Sequence, residues 1–355
     1  MNNGRSDIGE VLDRAQRFHA SDQPGQALFK VRAIRDRAVP QPLLTAYTFP
    51  EDTHQYLDHC YDNQLANWSL RAHLADDQLP CLGPWYGIAE HSAFLGGHVS
   101  YAEDTSWHHQ LMDDPRQLER ISLDENNGIY RMVVGGIAYV REKYGDVFSP
   151  RVRGTSGALD VVNMLRGNDF FYDLHDDPEG LHALLLRCTA YIIDYYGRQL
   201  DAAGMVMGGS VTGFGEWLPG RSIGHMSEDA TTMISVEQFE RFGRPYTQAV
   251  CDAYDHAMMH THALGERCLP AIATISKMTL MEISNDPNAD RAITVYKRVK
   301  DQLGQVIPIL PLSRDEIKDN LALLKQQRTV LWYEADTLED AEDMLQFVRR
   351  ELPVG

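Results

Sequence analysis

The pattern with the most chemical content in this 355-residue sequence is His260-Thr261-His262. Residues two apart on a strand project to the same side. Two imidazoles held together in this way form a natural ligand pair for a divalent metal such as zinc; otherwise they are a hydrogen-bonded polar pair. A catalytic zinc site needs three protein ligands and an open position. Cys268, Glu282 and Glu334 follow in the chain as candidates for the third, and His256, four residues upstream, is placed to join the cluster. Glu216, in the turn-rich stretch Gly213–Gly220, is an acid/base candidate or part of a connector. Asp104, in the run His98–His109 that crowds acids, imidazoles and an indole together, either serves a substrate lid or sits in a solvated loop. His260 itself is a third proton-handling candidate. Arg151 and Arg153 suit bidentate binding of a carboxylate or phosphate, or else form ordinary ion pairs. Trp85, Tyr86 and Trp107 could wall a broad substrate pocket. Glu228-Asp229 either faces the same site or belongs to a charged loop.

These residues need a scaffold that gathers them. Eight strands are expected, at Pro42–Phe49, Leu79–Trp85, Val147–Arg153, Gly204–Gly208, Ala257–His262, Thr279–Ile283, Val306–Leu310 and Thr329–Tyr333. Helices with start signals separate most of them. Asp177-Pro178 places an N-cap and an N1 proline before a helix over Gly180–Ala203, which Gly204 closes. Ser235 and Gln238 open a helix drawn to Met258, Ser313 and Glu316 have capping-box spacing, and Thr337 opens a last helix to Arg350. Alternating β and α means a parallel sheet, and eight units mean a closed (β/α)8 barrel, whose chemistry lies at the C-terminal strand ends. The rival is a doubly wound open sheet. Neither G-x-G-x-x-G nor G-x-x-x-x-G-K-[ST] follows a candidate strand, so its nucleotide-binding forms lack their usual signature. Residues 1–40 read as a helical N-terminal extension and 41–355 as a single barrel, with residues 87–146 an insertion over its mouth.

Composition narrows the partners. The formal net charge is −18 at pH 7, against nucleic acid or an anionic membrane surface. No apolar run approaches a membrane span, and the first residues lack the apolar stretch of a signal peptide. The cysteines, Cys60, Cys81, Cys188, Cys251 and Cys268, are odd in number, scattered and without C-x-x-C. They are expected to be free thiols in a reducing, cytoplasmic setting. A small molecule is the expected substrate.

The order and spacing of several segments from about residue 145 to 350 resemble the uroporphyrinogen decarboxylase superfamily. They are Asp176-Asp-Pro-Glu179 opening a long helix, Glu228-Asp-Ala-Thr-Thr-Met-Ile-Ser235, Phe239-Glu-Arg-Phe, Pro245-Tyr246 and His260-Thr-His-Ala-Leu-Gly265. The resemblance implies a (β/α)8 barrel, commonly a homodimer. It also implies one of two activities. One branch decarboxylates tetrapyrrole acetate groups without metal. The other moves methyl groups between a corrinoid and a thiol on zinc, with a corrinoid protein as partner. The R-Q-A-G-R motif of the first branch is missing, and Arg32, Arg35 and Arg37 occupy that region. The H-x-C motif of the second becomes His260-Thr-His262, and no cysteine follows Cys268, which leaves a harder ligand set.

The leading expectation is therefore a metal-dependent, methyltransferase-like enzyme. His260, His262 and Glu282 or Glu334 hold the metal, a corrinoid is methyl donor or acceptor, and Glu216 or Asp104 handles protons. A metal-free decarboxylase or lyase, with Arg151 and Arg153 on substrate carboxylates and His260 as acid, is the second reading. A non-catalytic corrinoid- or tetrapyrrole-binding protein is the third.

Overall fold

The computed structural model describes residues 8–71 and 73–354. Residues 1–7, the start of the expected extension, lie outside the described residues. The fold is mixed α/β around a parallel sheet of six strands. The eight strands that bear on the site are β1 (Ala27–Ile34), β2 (Cys81–Leu82), β3 (Ser149–Pro150), β4 (Ile223–Ser227), β5 (Ala257–His262), β6 (Met278–Ser284), β7 (Ile307–Pro311) and β8 (Thr329–Ala335). The large sheet has the order β1-β8-β7-β6-β5-β4, and β2 pairs with β3 in parallel. Single hydrogen bonds link these two pieces. The Asp77 amide donates to the Phe29 carbonyl (2.9 Å), and the amides of Thr155 and Gly157 donate to the carbonyls of His225 (3.0 Å) and Ser227 (2.7 Å). Between β1 and the approach to β2, side chains replace the ladder. The Asp76 and Asp77 carboxylates accept from the Val31 and Phe29 amides at 2.7 and 2.8 Å.

Strands β6 to β8 are mainly apolar, as a sheet covered by helices requires. Residues of β5 through β8 such as Met259, Met281, Ile309 and Leu331 are fully buried. The helix over Pro178–Ala203 starts with the Asp177 carboxylate accepting from the Gly180 amide and stops at Gly204, whose φ of +73° suits a residue without a Cβ. The capping boxes at Ser235/Gln238 and Ser313/Glu316 are both formed.

Four expected elements differ. Pro42–Phe49 holds a single 3-10 turn, Leu44–Ala46, and no strand. The fourth expected strand, Gly204–Gly208, is displaced into a short hairpin of Gly209–Val211 with Trp217–Pro219. The helix drawn from Ser235 to Met258 ends at Asp252, after a wide π turn over Phe239–Gly243 just ahead of Pro245, which donates no amide hydrogen bond. Conversely, Ala27–Ile34 lies inside the stretch read as a helical extension, where only Ile8–Ala20 forms a long helix. Lys30 and Arg32 broke the apolar signal of that strand although both side chains point inward. Strand β4 was missed as well, because Gly224, His225 and Ser227 interrupt its apolar run. Residues 87–146 lie between β2 and β3 and contain a hairpin, Val99–Tyr101 with Ser106–His108, and the helical stretch Gly128–Tyr144.

Candidate functional site

Strand register assembles the site. His260 on β5 lies opposite Glu282 on β6 and Ser227 on β4. His262, two residues on, therefore lies level with Asp229, two residues beyond Ser227. The result is a convergent group: one ligand atom each of Asp229, His260 and His262 lies within 4.8 Å of the others. The two Nε2 atoms are 3.1 Å apart, and His262 Nε2 is 3.4 Å from Asp229 Oδ1. Each Nδ1 faces a carboxylate of its own at 2.6 Å, Glu282 Oε2 for His260 and Asp286 Oδ1 for His262.

That arrangement sets the chemistry. An imidazole facing a carboxylate through Nδ1 carries its proton there and leaves a lone pair on Nε2. Two such lone pairs 3.1 Å apart, with a carboxylate beside them, repel unless a cation stands between. A proton can do so. Burial lowers the His260 pKa, but the charge and hydrogen bond of Glu282 outweigh it and raise the imidazole above its ordinary value. The hydrogen bond to Asp229 drives His262 up to about 9; burial opposes this and Asp286 reinforces it. A divalent metal meets the same demand. The edge of a tetrahedron with bonds of about 2.0 Å is about 3.3 Å, close to the observed separation. The donor set, two imidazole nitrogens and a carboxylate each backed or held by a second group, fits a divalent metal of intermediate hardness.

Asp229 lies in the 3-10 turn Asp229–Thr232, which two side chains secure. The buried Asp160 carboxylate accepts from the amides of Asp229 (2.7 Å) and Ala230 (2.9 Å) and from Ser227 Oγ (3.1 Å). Burial, then the Asp229 charge, raise the Asp160 pKa. Arg267 donates to the carbonyls of Thr231, Thr232 and Ile234 at 2.8 to 3.0 Å. The floor beside His260 is aromatic: Phe214 stacks on His225 with centroids 4.0 Å apart, and both rings lie about 5.5 Å from that of His260. Burial, then the neighbouring His91 and His260, push the His225 pKa well down. A cavity of about 750 Å³ opens against Glu282, Ser284, Asn285, Arg32 and Trp332.

The expected residues distribute unevenly. His260, His262 and Glu282 come together, with Glu282 as the hydrogen-bond partner of His260. Glu334 does not join them: it pairs with Arg35 at 3.1 Å in solvent, its side chain 60% exposed. The carboxylate that stands with the histidines is Asp229. Glu216 is fully buried, and its oxygens accept from Lys30 Nζ at 2.6 Å and Trp332 Nε1 at 3.0 Å, so both are engaged in an internal ion pair. Asp104 is in the exposed turn between Tyr101 and Ser106, where its backbone carbonyl accepts from Trp85 Nε1 at 3.2 Å. Arg153 forms a buried ion pair with Glu90 and lies 4.2 Å from the centre of the Trp85 ring, whereas Arg151 and Trp85 line a second cavity. Tyr86 is core, packed on Phe49 and donating to the Met132 carbonyl at 3.2 Å. Trp107 is exposed on the hairpin. His256 precedes β5 and bonds Thr279 Oγ1 at 2.9 Å, at the other end of the strand. Cys268 is buried with its thiol toward the Thr231 carbonyl.

Asp286, Asp160 and Arg267 escaped the sequence reading. Asp286 had a local signal, an Asn-Asp-Pro turn directly after a strand. Asp160 and Arg267 had none, since each acts through space on a segment more than 30 residues away.

No protein-family model and no curated protein matches this sequence. Among solved structures, the fold is similar to that of a methyltransferase from Methanosarcina mazei, at a TM-score of 0.62 and 15% identity over 97% of this chain and 98% of that one. The apo form of the homocysteine methyltransferase MmuM from Escherichia coli aligns at a TM-score of 0.30 and 15% identity, over 63% of this chain and 87% of that chain.

Proposed function

We propose that this protein is a metal-dependent, methyltransferase-like enzyme whose metal is held by His260, His262 and Asp229. The observation that carries the reading is the pair of Nε2 atoms 3.1 Å apart, each imidazole locked from behind by its own carboxylate. The likeness in fold to a methyltransferase along nearly the full chain supports it. We further propose that β1 to β8 close as a (β/α)8 barrel starting at β1, with residues 87–146 over its mouth. The hydrogen bonds from β1 to the approach to β2, and from the segment after β3 to β4, favour closure.

A divalent metal such as zinc, bound here, supplies Lewis-acid activation of a thiol or similar acceptor. The protein's own groups do the rest. Glu282 and Asp286 fix the tautomer and direction of both imidazoles. Asp160 and Arg267 hold Asp229 in reach. Phe214 and His225 exclude water beside His260. A corrinoid, carried on a partner protein, is the methyl donor or acceptor in this reading, and the protein works as a homodimer.

The test is elemental analysis of protein produced in metal-supplemented medium. About one metal per chain is expected, falling to a small fraction in His260→Ala and His262→Ala. Fully loaded medium yielding metal-free protein, or metal retained in both variants, would refute the reading and leave metal-free decarboxylation, with a protonated His260–His262 pair as acid.

A further inference from the structure

Two half-buried cations line one cavity without an acidic partner among the described residues. On β1, Lys30 and Arg32 are two apart and share a face. Lys30 is neutralised by Glu216 at 2.6 Å. Arg32 is not neutralised: its Nη1 donates to the Phe214 carbonyl at 2.7 Å and reaches Gln78 Oε1 at 3.4 Å, and its guanidinium lies 4.5 Å from the centre of the Trp332 ring. Just past β3 the same contrast recurs. Arg153 is neutralised by Glu90, while Arg151 donates to the Gly213 carbonyl and to no acid among the described residues. Arg32 and Arg151 both line a cavity of about 370 Å³, together with Gln64, Gln78 and Trp85. Neither forms an ion pair among the described residues. Burial, and the nearby Arg151 among other charges, hold the Arg32 pKa below its ordinary value although Glu216 and Glu282 oppose this, so the guanidinium is in a costly place.

Arg32 and Arg151 are both half-buried, and a guanidinium withdrawn from water without a counter-charge is unfavourable. Two sharing one cavity repel as well. The planar fork of five donors is only partly used in each, which leaves N–H groups for an oxyanion. Arg32 also lines the larger cavity that Glu282 borders. Arg32 therefore borders both cavities.

We infer that Arg32 and Arg151 form a binding site for an oxyanion group of the substrate, a carboxylate or a phosphate. This deepens the proposed function by giving the substrate an anionic end, and it rests on that reading only for the word substrate. The anion site itself is independent of any metal.

The experiment is calorimetric titration of the full-length protein with inorganic phosphate and with succinate, before and after exhaustive chelation. Saturable binding is expected with at least one probe in both states. It should weaken at least tenfold in Arg32→Met and in Arg151→Met, and stay within twofold in Arg35→Met, whose guanidinium already pairs with Glu334 and Asp336. Phosphate alone binding would mark a tetrahedral oxyanion, and succinate alone a carboxylate. If Arg32→Met does not fold, Arg151→Met and the position of selenate found by anomalous scattering in crystals decide. Absence of saturable binding, binding insensitive to Arg151→Met, or selenate lodged elsewhere would overturn the proposal. Protein that carries no metal when isolated from metal-supplemented medium, yet binds the probe, would refute the metal reading and leave this one standing.

Discussion

At the scale of single residues, the informative groups are those behind the histidines. Glu282 and Asp286 each touch one Nδ1 at 2.6 Å and leave Nε2 free for a shared cation. Glu282→Gln and Asp286→Asn are therefore expected to weaken metal binding by roughly 10- to 100-fold each, the usual effect of losing a carboxylate behind a ligating imidazole. Competition with a chelator of known affinity measures this, and unchanged affinity in both would contradict the assigned roles. The carboxylates around His262, Asp229 first and then Asp286, make the metal-free protein sensitive to pH. His262, near 6.5 when unfolded, is held at about 9 in the fold. A raised value means that the native state favours the proton. The stability it contributes is thus fully present below about 6.5 and is lost as pH rises through about 9. The stability gap between wild type and His262→Gln, both metal-free, should shrink across that window in urea titrations. Metal must displace the proton, so metal affinity should climb over the same range.

At the scale of elements, the site depends on the turn that carries Asp229. The turn spans only Asp229–Thr232, too short to hold its shape alone, and its first amides are satisfied by the Asp160 carboxylate from a different helix. Asp160→Ala leaves two amides and the Ser227 hydroxyl without that acceptor. We expect a loss of roughly 1–3 kcal/mol in stability together with a fall in metal content, because the turn no longer presents Asp229. Chemical denaturation and elemental analysis read the two effects separately. Retained metal content in a destabilised Asp160→Ala would restrict Asp160 to a structural role.

At the scale of the whole molecule, β1 decides how much of the N-terminal region is dispensable. The helix Ile8–Ala20 buries Val11, Leu12, Ala15 and Phe18 as a cover, whereas β1 pairs with β8 from Ala27 to Ile34 and carries Lys30 and Arg32 inward. Deleting residues 1–22 should yield a folded protein of lower melting temperature. Deleting residues 1–40 removes a strand of the sheet and strands Glu216 without Lys30, so aggregation is expected. Circular dichroism and size-exclusion chromatography distinguish these results. A folded, soluble protein after the longer deletion would show that the sheet does not depend on β1.

Local signals in the sequence determined the helix starts at Asp177, Ser235 and Ser313, the strand Ala257–His262, and the same-side projection of the two histidines. Each rests on residues within a few positions of one another, whose backbone and capping preferences act before the chain folds. The strands β1 and β4 were not legible, because their inward-facing Lys30, Arg32 and His225 carry the polarity of a surface while serving the interior. The third member of the histidine group and the partners of every charged candidate were decided by tertiary structure alone. Asp229 meets His262 only through the register of β4 on β5, and Glu216 becomes an internal counter-charge only because β1 brings Lys30 to it. Glu334, equally acidic and equally close to a strand end, is left in solvent beside Arg35. The carboxylates share one chemistry, and their different roles follow from distance and burial, which strand register and packing set across separations of 30 to nearly 300 residues.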